Sequence, residues 1–252
     1  MRSWVRPLGM VVMGAFGAGK RRLCLQALYP DAKAPMIQLL FVLLFTSLTA
    51  FSAFVAIKLP FLAWGMPKLL PGAESLYQWN GLVFGSHLVS AQILMVWFTG
   101  ALLGPRRGGL AMALYLGIGL GGLPIFTNGG GFGYLSQPTF GYLATFLPAV
   151  IVVGLFARDQ RFGRTWLGFF WGFALIYGFG LVYELIVRQQ FFSISGWLHL
   201  GWVQVLQFLP GYLALLTLVA FVVASVRKLD AAYLGWKQRR LGDDQEPILP
   251  SA

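Results

Sequence analysis

The hydrophobic pattern of this chain is one of long apolar stretches separated by short clusters of charge. Between Lys33 and Lys58 run 24 uncharged residues, "APMIQLLFVLLFTSLTAFSAFVAI". A helix that crosses a bilayer needs about 20 apolar residues, and charge within it is costly, so this stretch reads as a first span. A second, "GLVFGSHLVSAQILMVWFTGALLG", closes the uncharged run between Glu74 and Arg106. The 50 uncharged residues between Arg107 and Arg158 are too many for one helix and fit two spans with a connecting segment. "TWLGFFWGFALIYGFGLVY", between Arg164 and Glu184, is a fifth span. A sixth runs from about Pro210 to Val226, the proline marking its start. The pattern predicts an all-α integral membrane protein of six transmembrane helices.

Lys and Arg set the orientation, because they gather in the cytoplasmic connections. The N-terminal arm, the link at Arg106 and Arg107, the link at Arg158, Arg161 and Arg164, and the tail from Arg227 hold 16 of the 19 basic residues. Lys58, Lys68 and Arg188 fall on the other side. Both termini are therefore expected in the cytoplasm, with the connection between spans three and four outside. Three regions result: a cytoplasmic arm over 1–34, a six-helix membrane domain over 35–226, and a cytoplasmic tail over 227–252, read as a short surface helix followed by disorder.

Composition agrees. The chain is 58% hydrophobic and 11% charged, where soluble domains carry roughly 25% charge. The net charge of +11 reflects cytoplasmic helix ends rather than nucleic-acid binding. The lone Cys24 permits no intrachain disulfide, and with His87 and His199 makes a poor metal set. "GAFGAGKR", Gly14 to Arg21, has most of a phosphate-binding loop, but Arg21 stands where Ser or Thr should hold magnesium, and no strand precedes it. The apolar run Leu8 to Gly19 has the length of a signal-peptide core, yet basic residues and a full span follow at once, which favours an interfacial or disordered arm. No catalytic set stands out. Glu184 is expected to pair with Arg188 one turn later.

The segment "LPIFTNGGGFGYLSQPTFGYL", residues 123–143, is too glycine-rich for a helix and too apolar for a surface loop. Irregular backbone at membrane depth is tolerated where it is buried in protein or lines a cavity, and glycines allow close backbone approach to a ligand. Uncharged polar residues fall on the same side: Gln92, Asn128, Tyr134, Gln137, Thr139, Tyr142, Gln204, Gln207 and Tyr212. A mostly apolar pocket with a few placed polar groups is the usual small-molecule site. Each residue taken singly also suits a helix–helix hydrogen bond. Thr46, Ser47, Thr49 and Ser52 line the first span, where Thr49–Ala53 and Ser52–Ala56 have the spacing of small residues at a close helix contact.

"GALLGPRRGGLAMALYLGIGLGGLPIFTNGGGFGYLSQPTFGYL", Gly100 to Leu143, resembles the BioY family. That family's run reads approximately LLGPRxGxxxxxxYLxxGxxGLPVFxxGGGGxxYLxxPTxGYL. Weaker likeness covers "LTAFSAFVAIKLP" (Leu48 to Pro60), Gln92 and "FLPG" (Phe208 to Gly211). The chain departs from the family in the long link Pro60 to Asn80, at Ser90, and above all at Tyr212 and Leu215, where the family has Asp and Lys. The resemblance implies the biotin-binding S component of an energy-coupling-factor transporter in the plasma membrane. Such a component has no enzymatic activity and no cofactor, and takes biotin from outside into a pocket capped by residues 123–143. It implies a coupling subunit and two ATPases as partners beside membrane lipid, with toppling of the S component carrying the ligand inward. A homo-oligomer is left open. The residues it assigns to the ligand are Gln92, Phe126, Asn128, Gly129, Gly130, Gly131, Tyr134, Thr139, Tyr142 and Tyr212. Asn128 to Gly131 would donate backbone N–H groups, Phe126, Phe132 and Tyr134 would form aromatic walls, and Glu184, Gln204 or Gln207 would replace the family's Asp. Tyr212 also leaves room for another small vitamin or metabolite as ligand, and the pattern of spans alone for a structural protein that does not transport.

Overall fold

The computed structural model describes residues 35–64, 74–79, 82–189 and 208–243, with Ser193, Ile194, Trp197 and Val205 between the last two. The arm 1–34, Lys68, Gln204, Gln207 and the tail beyond 243 lie outside the described residues. In chain order the elements are α1 (Pro35–Ser52), β1 (Ala56–Trp64), β2 (Glu74–Trp79), β3 (Leu82–Ser90), α2 (Gln92–Leu120), α3 (Phe140–Ala144), α4 (Phe146–Phe156), α5 (Phe162–Val187) and α6 (Leu209–Asp243). Two short 3₁₀ turns, Phe132–Ser136 and Ala157–Asp159, fall before α3 and after α4. The protein is mostly helical. Among the described residues, three helical stretches are long and apolar enough to cross a membrane: Phe140–Asp159, Phe162–Val187 and Leu209–Tyr233.

α2 does not run straight. At ~1.5 Å rise per residue, Gln92 and Tyr115 would lie roughly 35 Å apart on one continuous helix. Instead the Gln92 side chain donates to the Tyr115 hydroxyl at 2.6 Å. The helix doubles back at Gly104, whose φ of 78° and ψ of −179° are not helical. The next residue, Pro105, has no N–H to extend the ladder. Only glycine takes such a φ without Cβ strain. The result is two antiparallel arms, 92–103 and 105–120, joined by almost no loop. α4 packs into the groove between them, its Val150 and Val153 against Gly100 and its Gly154 against the backbone of Gly104 and Pro105. α1 packs on the returning arm, where the Thr46 hydroxyl is shared between the carbonyls of Val42 (2.8 Å) and Ala111 (3.1 Å). Thr49 and Ala53 are buried inside the bundle, so that small-residue pair makes an internal contact.

One expectation is corrected. The fold is not all-α, because residues 56–90 hold a three-stranded antiparallel sheet of order β1-β3-β2. β1 and β3 pair from Ala56↔Ser90 to Trp64↔Leu82, while β2 pairs with β3 through a bulge between Ser75 and Tyr77. The end of the first apolar window and the start of the second are therefore strand, and the helix of the second begins only at Gln92. Short apolar runs rich in Val, Leu and Phe suit strand as well as helix. An open sheet edge cannot face hydrocarbon. This sheet emerges where α1 ends and α2 begins, tied there by Ala91 N–H to the Val55 carbonyl (2.9 Å), and β1 rests on α6. In the tail the expected helix is continuous with α6, which runs unbroken past Arg227 to Asp243. Its residues there are mostly good helix formers.

The bundle has two unlike ends. The described ends of α1 and α2, the connection 121–139, and Glu184 and Arg188 near the end of α5 share one, with Lys58 and Arg188 as its described basic residues. The other carries Arg106, Arg107, Arg158, Arg161, Arg164, Arg227 and Lys228. There the Arg227 guanidinium reaches three elements: Thr165 Oγ1 (3.0 Å), the Ala101 carbonyl (2.9 Å) and the Ala157 carbonyl (3.2 Å). Ala101 and Ala157 lie in or beside closing turns of helix, where a cation meets the negative end of the helix dipole. Arg164 pairs with Asp159. Gly154→Val places side-chain atoms against the Gly104–Pro105 backbone. It is expected to lower stability by about 1–3 kcal/mol through overpacking, read as a drop in the thermal unfolding midpoint of the purified protein in detergent.

Candidate ligand site

Two side-chain groups stand at the end of the bundle that carries the connection 121–139. The first centres on Tyr115. Gln92, the opening residue of α2, donates to its hydroxyl, and the Tyr115 ring meets Phe126 edge-on at 5.4 Å. Phe126 lies 4.8 Å from Tyr134, and the Thr139 hydroxyl donates to the Tyr134 hydroxyl at 3.3 Å. Gln92, Tyr115, Phe126 and Tyr134 are all buried. Four of the predicted residues, Gln92, Phe126, Tyr134 and Thr139, thus form one connected group across α2 and the connection. Tyr115 joins them because the reversal of α2 returns it beside Gln92.

The glycine run turns out to be folded on itself. Phe126 and Gly129 bond reciprocally, N–H of each to the carbonyl of the other (3.0 and 3.1 Å), closing a tight turn over Thr127 and Asn128. Gly131 donates its N–H to the Gly119 carbonyl at 2.7 Å. Gly129 (φ 113°) and Gly131 (φ 89°) occupy backbone conformations that other residues rarely adopt. A Cβ on Gly130 would strike the Leu123 carbonyl. The Gly129 N–H therefore closes the turn, and the Gly131 N–H ties it to the end of α2. Of the four expected backbone donors, Asn128 and Gly130 keep N–H groups outside these bonds, and both residues are exposed.

The second group joins α3, α5 and α6. The Tyr142 hydroxyl donates to Glu184 Oε2 at 2.9 Å, and Arg188 Nε donates to Glu184 Oε1 at 2.8 Å. The ion pair expected between Glu184 and Arg188 is present, and Glu184 is buried at 3% exposure. The Tyr142 ring meets Tyr177 edge-on at 5.7 Å. Tyr177 lies 5.2 Å from Tyr212, hydroxyl bonded to hydroxyl, with Phe173 against both at 4.6 and 4.9 Å. Two glycines make the interlock between α3 and α5: the Tyr183 ring occupies the space a Cβ on Gly141 would need, and the Tyr142 ring that of Gly180. Tyr183 also donates to the Leu135 carbonyl, tying α5 to the connection. Tyr142 and Tyr212, both predicted, fall in this group. Tyr177 was missed, since one tyrosine in an aromatic span carries no local signal.

This arrangement suits recognition of a small, partly polar molecule. It offers apolar rings, hydroxyls and an amide, with one buried carboxylate. The model of the BioY family matches residues 26–232, most of the chain. The chain belongs to the BioY family. Among BioY relatives, "Probable biotin transporter BioY" of Lysinibacillus sphaericus is 34% identical over 178 residues, covering 70% of this chain and 76% of its own. "Biotin transporter BioY" of Rhodobacter capsulatus is 32% identical over 149 residues, 55% of this chain and 77% of its own. That of Thermotoga maritima is 34% identical over 109 residues, 42% of this chain and 61% of its own. A solved structure described as the S-component for biotin from an ECF-type ABC transporter is 20% identical and covers 78% of this chain and 93% of its own, at a TM-score of 0.49.

Tyr115→Phe removes the acceptor of the buried Gln92 amide, which is expected to cost about 1–3 kcal/mol. The double variant Gln92→Leu, Tyr115→Phe removes both partners and should recover part of that loss. Unfolding of the four proteins of this cycle in detergent checks it; strictly additive losses would show that the bond contributes nothing.

Proposed function

We propose that this BioY protein is the biotin-binding S component of an energy-coupling-factor transporter, a multi-pass protein of the plasma membrane. The observation that carries the reading is the family match over residues 26–232, joined by the gathering of the two polar groups at one end of the bundle. Counting each arm of α2 as a crossing, α1, the two arms, α3 with α4, α5 and α6 make six passes. The end rich in Arg and Lys is the cytoplasmic one, which puts both termini inside. The end with the connection 121–139 then faces out, and the sheet 56–90 stands beside it.

Biotin offers a ring with two N–H donors and a carbonyl, an apolar thioether ring and tail, and a carboxylate. The turn 126–131, with the walls Phe126 and Tyr134, covers the ligand from outside. Thr139, Tyr142 and Tyr212 with Gln92 supply polar contacts, and the exposed N–H groups of Asn128 and Gly130 receive a carbonyl or carboxylate oxygen. The glycines at 129 and 131 serve the ligand indirectly, by holding that turn. The task is binding, so no resident cofactor is needed. Inward movement draws on a coupling subunit and two ATPases.

Isothermal titration and thermal melting of the purified chain in detergent test the reading. Biotin should give a binding heat at micromolar concentration, and at a hundredfold excess over Kd should stabilise the fold by about 2.7 kcal/mol through mass action. No heat and no shift with biotin would overturn it.

A further inference from the structure

A charge buried among membrane-spanning helices is expensive and marks function more often than structure. Glu184 is the one acid among the described side chains that is buried. Stability gives little reason to keep it there, because replacing a buried ion pair with apolar residues is often neutral or stabilising. Its partner Arg188 is half exposed, at 49% of its side-chain surface, against 4% for the Glu184 side chain. The pair is thus oriented, carboxylate inward and guanidinium toward the surface. The carboxylate is held by Tyr142, and Tyr142 abuts Tyr177 and through it Tyr212. Two of these tyrosines belong to the candidate site.

The chemistry of such a pair is specific. A carboxylate only accepts hydrogen bonds, so it selects N–H or O–H donors. Arg188 bonds Glu184 through Nε, which leaves the two terminal nitrogens of its fork for a second carboxylate, the geometry guanidinium reads best. We infer that Glu184 and Arg188 are the specificity-determining charges of the ligand site: the Glu184 carboxylate accepts the N–H donors of the ligand's ring, and Arg188 holds its tail carboxylate. The inference rests on the biotin reading above. Arg188 stands outside the residues that the resemblance assigns to the ligand, Glu184 enters there only as one of three stand-ins for the family's Asp, and the pair closes the last turn of α5.

The test compares biotin with biotin methyl ester, which keeps the ring and lacks the negative tail. Both are titrated calorimetrically into the full-length wild-type chain and the Glu184→Gln and Arg188→Gln variants. Glu184→Gln is expected to weaken both ligands by about tenfold to a hundredfold, the loss of a charged hydrogen-bond acceptor. Arg188→Gln is expected to weaken biotin by roughly tenfold and the ester little, so that the wild-type preference for biotin over its ester collapses. A purely structural pair would change both ligands by the same factor in Arg188→Gln, and that result overturns the inference. So does a Glu184→Gln protein that binds biotin within about twofold of wild type. If Glu184→Gln does not fold, the biotin-to-ester ratio of Arg188→Gln decides alone. A wild-type chain that binds neither ligand overturns the biotin reading itself, whereas a wild type that binds while the variants keep its affinity and preference overturns only the role of the pair.

Discussion

A polar group buried in a membrane bundle without a partner costs several kcal/mol, and water is not there to replace it. That constraint organises the end of this protein where the candidate site stands. Gln92 opens a helix and is buried, so its amide must find a partner inside the protein. The partner is Tyr115, 23 residues on, and it is within reach only because α2 reverses at Gly104 and Pro105. The reversal in turn requires α4 to come close to the backbone at that point, which Gly154 permits. One buried amide, one positive φ and one missing Cβ are thus parts of a single arrangement.

The tyrosines extend the same logic to the second group. Each hydroxyl found there has a described partner: Tyr142 on Glu184, Tyr177 with Tyr212, Tyr183 on the Leu135 carbonyl. The rings themselves fit only because Gly141 and Gly180 stand opposite them. A wall assembled this way is well packed on its helix side and carries polar atoms on fixed aromatic supports, so little conformational entropy remains to be lost when a ligand binds.

Much of this was legible from charge and hydropathy. The limits of α5 follow from the charges that flank it, and the start of α6 from Pro210. The glycine-rich segment announced itself by composition, although its last residues open α3; Phe126, Tyr134 and Thr139 meet in one group, while Tyr142 falls in the other. What the pattern hid has physical causes. The run "LVFGSHLV" is equally apolar as strand or helix, and its pairing with residues 56–64 depends on contacts no window sees. Arg106 and Arg107 marked a link between spans, yet not that Gly104 and Pro105 make it almost without a loop. The hydropathy of α6 ends at Arg227, whereas its helix does not, because the following residues favour helix without being apolar. The glycine run suggested open N–H donors, and two of them are bonded to backbone carbonyls, Gly129 within the turn and Gly131 on Gly119 of α2. Tyr177 and the depth of Glu184 depend on how α5 faces α3 and α6, which one sequence does not state.

The two ends of the bundle differ in what holds them. At the basic end, Arg227 binds the backbone carbonyls of Ala101 and Ala157 and the Thr165 hydroxyl, and so fixes α2, the turn after α4, and α5 to α6. A guanidinium bound to three elements resists their separation, since parting any one of them strips a charged hydrogen bond. At the other end several cross-element bonds run between side chains, hydroxyl to hydroxyl or hydroxyl to carboxylate, while the turn 126–131 is tied to α2 by the Gly131 N–H on the Gly119 carbonyl. Hydroxyls exchange one partner for another at small net cost, because the bond lost and the bond gained are alike. Rotation of a few side chains can admit a ligand at that end without disturbing the helix backbone.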